Sequence, residues 1–211
     1  EQACAMAADA YYRLSGKPAI VQVTTGPGSI NALNGIFGAY VDSVSMIIIA
    51  GQVKSSDMTS LNKKLKNLRQ FGDQETDIKS ISKAITKKNF TINKAENVVS
   101  IIDEAVDIST MGRPGPVLVE VPLDIQNTRL SKFKVTKNKK KNTKINSQYE
   151  NRKLKFLLEK IKNSKRPIMI VGNGVRFSNS FELFKKLIKK LKIPILTVWN
   201  SHDLIENDNP Y

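Results

Sequence analysis

Residues 19–52 read AIVQVTTGPGSINALNGIFGAYVDSVSMIIIAGQ. The run AIVQVT (19–24) is short, apolar and bounded by turn residues, as a buried parallel strand is. A glycine turn follows. SINALNGIFGAY (29–40) then has a helical pattern, with Ser29 placed to cap it and Ile30, Leu33 and Phe37 as its apolar face. MIIIA (46–50) is a second buried strand, closing on Gly51-Gln52. Strand, glycine turn, helix, strand is the unit from which parallel sheets are built. Upstream, EQACAMAADAYYRLSGK (1–17) predicts a helix over 1–14, ended by Gly16 and Lys17-Pro18. Ala3, Ala5, Ala7 and Ala8 leave room for a neighbouring backbone to pack very close.

The alternation continues downstream. Leu61, Leu65 and Leu68 suggest a short helix with a basic face, and residues 77–83 are weakly helical. KNFTI (88–92) reads as a strand. AENVVSIIDEAVDIST (95–110) has a helical period through Val98, Ile101, Ile102, Ala105 and Ile108. Gly112-Arg113-Pro114-Gly115-Pro116 is a rigid turn into a third buried strand, VLVEV (117–121). The Lys-rich stretch 131–151 breaks the pattern and reads as a linker. After it come a helix at 152–162, PIMIVGNG (167–174) as strand and glycine turn, a basic amphipathic helix at 180–191, and the strand IPILTVW (193–199). The fold class is α/β. A parallel sheet with helices on both faces occupies residues 1–130, and a second, Rossmann-like α/β domain opens at 152–211.

Composition excludes several classes. No apolar run approaches the roughly 18–20 residues that cross a bilayer. Cys4 is the only cysteine and His202 the only histidine, so an internal disulfide and a Cys/His zinc cluster are both excluded. A cytoplasmic location is the expectation. Starting mid-helix, with neither Met nor N-cap, and stopping in a loop, the chain reads as a fragment of a longer protein. Of the net charge of +15, residues 132–166 hold 14 Lys and Arg against 2 acids. This block could be a basic nucleic-acid-binding module. It lacks the interleaved aromatics of single-strand binders, so a solvated linker is the better reading.

Three local features could carry chemistry. Glu1 opens the alanine-rich helix. Thr25-Gly26-Pro27-Gly28-Ser29 lies where a strand hands over to a helix, so backbone N–H groups could meet an anion or a polar ring edge. Gly-Asn-Gly (172–174) repeats the strand-to-glycine arrangement but lacks the third glycine of a dinucleotide fingerprint. Cys4 reads as a small core residue, and His202 as a loop residue.

Five motifs stand in order: the helix-opening Glu1, TGPGSIN, AYVDSVSMIIIAGQV, GDQETDI and GRPGPVLVEVP. In this order they resemble the pyrimidine-binding domain of thiamine diphosphate enzymes, in the acetolactate synthase-like group of 2-oxo acid decarboxylases and carboligases. The resemblance covers residues 1–126, and residues 152–211 resemble the start of that family's central domain. It implies the thiamine diphosphate-binding fold, here without its first elements. It implies that Glu1 contacts N1′ of the aminopyrimidine, and an apolar setting helps a carboxyl group keep and share such a proton. It places Gly26, Pro27, Gly28 and Asn31 on the pyrimidine side and Gln74 toward the reacting centre. Arg113 matches a position that meets FAD, which leaves FAD open as a second cofactor. Lys87 matches a lysine near the substrate channel, although a surface lysine is the plainer reading.

The resemblance also implies Mg²⁺ with ligands outside this chain, and no metal ligand within it. The partners it implies are a small 2-oxo acid and a second copy of the chain, in a homodimer or homotetramer with the site at the subunit interface. This piece alone is expected to be inactive. Asp73 stands where acetolactate synthases carry Phe, and the basic stretch LNKKLKNLRQ (61–70) precedes it. LRQFGDQETDI (68–78) and WNSHDLI (199–205) resemble acetolactate synthase-like proteins of surface-sugar biosynthesis, which would take a different substrate.

Overall fold

The computed structural model describes residues 1–129 and 147–211. They fall into two compact units, Glu1–Lys140 and Lys141–Tyr211.

The first unit is built on four parallel strands, β1 (Ala19–Val23), β2 (Met46–Gln52), β3 (Lys88–Thr91) and β4 (Val117–Pro122), in the order β1-β2-β4-β3. The chain passes from β1 to β2 through α2 (Pro27–Asn31) and α3 (Leu33–Val41), which α1 (Gln2–Ser15) packs against. It reaches β3 through α4 (Ile78–Ser82) and returns to β4 through α5 (Val98–Thr110). The return runs in the opposite direction along the sheet and crosses the opposite face, as right-handed crossovers require. A one-turn helix, α6 (Leu123–Gln126), follows β4.

Pleating sorts the strands' side chains. Ile47, Val117 and Val119 face α5, where Val98, Ile101, Ile102, Ala105 and Ile108 complete one core. These are the five residues of the helical period. Val21, Ile48, Ala50 and Leu118 are buried on the other face. On the α5 side of β1, Ile20 and Gln22 are exposed.

Three local expectations change. The helix after the glycine turn breaks at Ala32 into two pieces, and Ser29 caps neither. Its hydroxyl donates instead to the Thr24 carbonyl at 2.7 Å. The buried face of α3 is Gly35, Ile36 and Ala39, whereas Ile30 and Phe37 are exposed. The cause is α1, whose Ala5 sits against Gly35 so tightly that a Cβ on Gly35 would lie 2.5 Å from that of Ala5. Third, Leu61, Leu65 and Leu68 form no α-helix. Only the 3₁₀ turn Lys63–Leu65 appears there.

The second unit has α7 (Ser147–Asn163), β5 (Met169–Val171), α8 (Gly174–Phe177), α9 (Phe181–Leu191) and β6 (Ile195–Thr197), with β5 and β6 parallel. Its core joins Val171, Phe184, Ile188 and Leu204. Residues 131–146 of the expected linker lie outside the described residues, and 147–151 already belong to α7. The glycine turn at 172–174 is tied to the loop after β6. Asn173 donates to the Asn200 carbonyl, and Arg176 forms a two-pronged pair with Asp203 at 2.9 Å for each prong.

Two outcomes are expected. Gly35→Ala forces α1 and α3 apart, a strain of about 1–3 kcal/mol that outweighs the roughly 1 kcal/mol gained in helix propensity. Gly38→Ala, in the same helix with nothing within 4 Å of a new Cβ, keeps the gain. Denaturant unfolding of the two variants should therefore shift in opposite directions. The hydrogen bond from Arg176 holds the Asp203 carboxyl below its ordinary pKa. Its contribution is present above the unfolded pKa of about 3.9 and is lost as pH falls through the folded value. The stability gap between wild type and Asp203→Asn, read by thermal melts, should close on acidification below about pH 4.

Candidate functional site

In an open parallel sheet, ligands bind beyond the carboxyl ends of the strands. Here a cleft of about 950 Å³ opens at that end, walled by Val23–Thr25 at the end of β1, Gly51–Lys54 at the end of β2, and Val121 and Leu123 at the end of β4. Glu1, Gln22, Ile49, Asp57, Asp73 and Gln126 complete its lining.

The start of α1 projects Glu1 into this cleft. Asn31, at the end of α2, donates its side-chain N–H to Glu1 Oε2 at 2.8 Å. Gly28 lies under the carboxylate, since a Cβ there would stand 3.4 Å from Glu1 Oε1 and 2.6 Å from Thr24 Cγ2. Glu1 thus meets Gly28 and Asn31, which lie 27 and 30 residues further along the chain. The carboxylate itself is exposed, because Ala5 and Ala8 turn toward α3 and not toward it. The α1 alanines expected around Glu1 therefore do not cover it, and the apolar side chains in its cleft come from the strand ends and the adjoining loops.

Gly26 and Gln74 also meet. Gly26 has φ +59°, and a Cβ on it would lie 2.2 Å from the Gln74 carbonyl oxygen. Gln74 itself has φ +57°, a conformation that costs a non-glycine residue energy and persists only when its surroundings impose it. Pro27 starts α2. Asp73, and not Gln74, lines the cleft.

Two groups that sequence reasoning missed hold this loop. Glu120 is buried in β4 and accepts hydrogen bonds from Gln52 Nε2 at 2.9 Å and Thr91 Oγ1 at 2.8 Å, with Lys79 Nζ at 3.8 Å. Gln52 Nε2 also donates to the Thr76 carbonyl at 2.9 Å, and Gln52 Oε1 accepts from Val53 N–H. Glu75 accepts from Thr59 N–H at 2.6 Å and Oγ1 at 2.7 Å, and from the backbone of Phe71 and Gly72 at 3.4 Å. The signal was in view, since a glutamate inside VLVEV must find partners once buried.

Other expected residues lie apart. Arg113 precedes β4 at the opposite end of the sheet, where it donates to Ser43 Oγ at 2.6 Å and the Val41 carbonyl at 3.4 Å. Lys87, also at that end, donates to the carbonyls of Ile108 and Met111. It closes the C-terminus of α5, away from the cleft, and is not a free surface lysine. Burial of its ammonium lowers its pKa. Cys4 is exposed and not part of the core. His202 Nδ1 lies 2.9 Å from the Trp199 carbonyl, within its own loop. Among the described residues no group of three or more His, Cys, Asp or Glu could hold a metal ion, and no helix is long and apolar enough to cross a membrane.

Comparison with known proteins agrees with this geometry. Residues 1–81 match the N-terminal TPP binding domain of thiamine pyrophosphate enzymes, and residues 154–211 match their central domain. The chain is 33% identical over 202 residues to the acetolactate synthase large subunit of Lactococcus lactis, covering 93% of this chain and 32% of that protein. It is 36% identical over 203 residues to the large subunit from Buchnera aphidicola of Schizaphis graminum, covering 93% and 33%. To the mitochondrial acetolactate synthase catalytic subunit of Saccharomyces cerevisiae it is 30% identical over 218 residues, covering 100% and 30%. The chain spans about one third of the length of these relatives. With both domains matched in order, the chain belongs to the thiamine pyrophosphate enzyme family, among its acetolactate synthase-like members.

Proposed function

We propose that this chain is part of a thiamine diphosphate-dependent enzyme that decarboxylates a 2-oxo acid and joins the product to an acceptor, as the names of its relatives suggest. The observation that carries the reading is the Glu1 carboxylate, held by Asn31 above Gly28 in the cleft beyond the strand ends. A flat heterocycle edge fits such a place. The glycine leaves a cradle that any side chain would fill, and the carboxylate offers one directed acceptor. Thiamine diphosphate supplies a stabilised carbanion when bound.

This chain's residues do the rest of the work we assign here. Glu1 accepts or shares the proton at the pyrimidine N1′, and Asn31 fixes its direction. Gly26, Pro27 and Gly28 keep the wall thin, and the Gly26–Gln74 contact sets the loop beside it. Mg²⁺ would bind residues outside this chain. Arg113 is committed to Ser43 and Val41, so we assign it the turn before β4 and assign no FAD contact.

A second copy of the chain is the partner we propose, in a homodimer or homotetramer. α1 and α3 pack together yet leave Met6, Tyr11, Leu14, Phe37 and Tyr40 exposed, as a surface awaiting a partner does. The single cysteine fits a reducing compartment such as the cytoplasm. The nucleic-acid reading rested on residues 132–166, of which 132–146 lie outside the described residues. We do not propose it. The surface-sugar reading concerns only the substrate, and the presence of Asp73 on the cleft wall keeps that choice tied to its charge.

The test is cofactor- and Mg²⁺-dependent consumption of a 2-oxo acid by the full-length protein. Glu1→Gln should lower turnover by about 10²–10⁴-fold with the circular dichroism unchanged, and near-normal turnover would reject the role given to Glu1. Gly26→Ala drives a Cβ into the Gln74 carbonyl at a backbone angle that alanine resists. Calorimetric titration should show at least about tenfold weaker thiamine diphosphate binding, a loss of roughly 1.4 kcal/mol.

A further inference from the structure

Resting on the thiamine reading above, we infer that residues 58–72 form a cationic rim that draws an anionic substrate into the cleft and favours two negative charges over one. The cleft itself repels such a substrate. Its lining carries three carboxylates, Glu1, Asp57 and Asp73, against one ammonium, Lys54. A 2-oxo acid brings at least one further negative charge, so a counter-charge must come from nearby.

The loop supplies it. Asp57 and Asp73, both on the cleft wall, are the residues that flank 58–72. Glu75 binds Thr59 on one stem and Phe71 and Gly72 on the other, so one carboxylate closes the neck. Asn62 tightens it by donating to the Ser56 carbonyl at 2.7 Å. Gly72 packs onto Val53, itself a cleft residue, with room for no side chain. The neck is therefore anchored at the cleft, as in a compact closed loop. Between its stems lie Lys63, Lys64, Lys66 and Arg69, and no acid. All four are exposed, and none has an ion pair among the described residues. Four unneutralised cations on a loop that starts and ends at the cleft outnumber its excess of two carboxylates (three less one ammonium), and exposed charges act over about one Debye length. Steering of this kind raises association rates and fades with salt.

The experiment compares full-length wild type with the variant Lys63→Gln/Lys64→Gln/Lys66→Gln/Arg69→Gln, using a panel of 2-oxo acids of charge −1 and −2 at low and high salt. Wild-type kcat/KM should fall as salt rises. The variant should start about tenfold lower at low salt, show a flat salt response, lose more on the −2 substrates, and keep its kcat. Equal kcat/KM and equal salt slopes in the two proteins overturn the inference, as does a loss in kcat with KM unchanged. Should the fourfold variant fold poorly by circular dichroism, Lys63→Gln/Lys64→Gln gives the same reading at smaller amplitude. If wild type turns over no member of the panel, the thiamine reading falls, and the rim falls with it.

Discussion

The hydrogen bond from Gln52 to Glu120 is the constraint from which the working end of the sheet is built. A carboxylate inside a parallel strand costs several kcal/mol unless its lone pairs are met. Glu120 is met by Gln52 on β2, Thr91 on β3 and the approach of Lys79 from the α4 side. Its partners thus come from both neighbouring strands of β4. The register that brings them together is the register that aligns the strand ends. Gln52 then spends its remaining donor on Thr76 and its oxygen on Val53. One buried charge therefore fixes two loops that border the cleft.

The strands were legible because a parallel strand covered on both faces must be apolar throughout, as MIIIA and VLVEV nearly are, whereas AIVQV, at the sheet edge, leaves Ile20 and Gln22 exposed. α5 was legible for the opposite reason, since one face meets the sheet and the other meets water. Faces decided by a second helix were not legible. Phe37 looks like a core residue in any one-helix reading, yet α1 chooses Gly35 and Ala39 because only small residues allow its approach. The leucines at 61, 65 and 68 have helical spacing, but Glu75 draws residues 59 and 71–72 together into a closed neck. That contact spans 16 residues in sequence, and no local pattern reports it.

Half of the candidate site was legible in the same sense. Glycines 26 and 28 announced close approach, and Glu1 with Asn31 followed from the family order of motifs. Arg113 and Lys87 stand apart from the cleft because a motif match locates a residue along the chain, not along the sheet. Both precede the strands they accompany, so both lie at the end away from the cleft. Their side chains serve the backbone there, closing a turn and a helix end.

The exposure of Glu1 follows from how α1 divides its surface. Ala5 packs against Gly35 of α3 and Ala8 is buried, while Met6 and Tyr11 of the same helix face outward and its N-cap residue, Glu1, is open to water. In water a carboxylate exchanges hydrogen bonds at little net gain, so a single directed contact is weak there. The same contact becomes strong once a neighbouring surface excludes solvent. The helix that presents the acid also presents the apolar residues by which such a surface would attach. On the proposed reading, covering this face and shielding Glu1 from water go together, because one helix presents both.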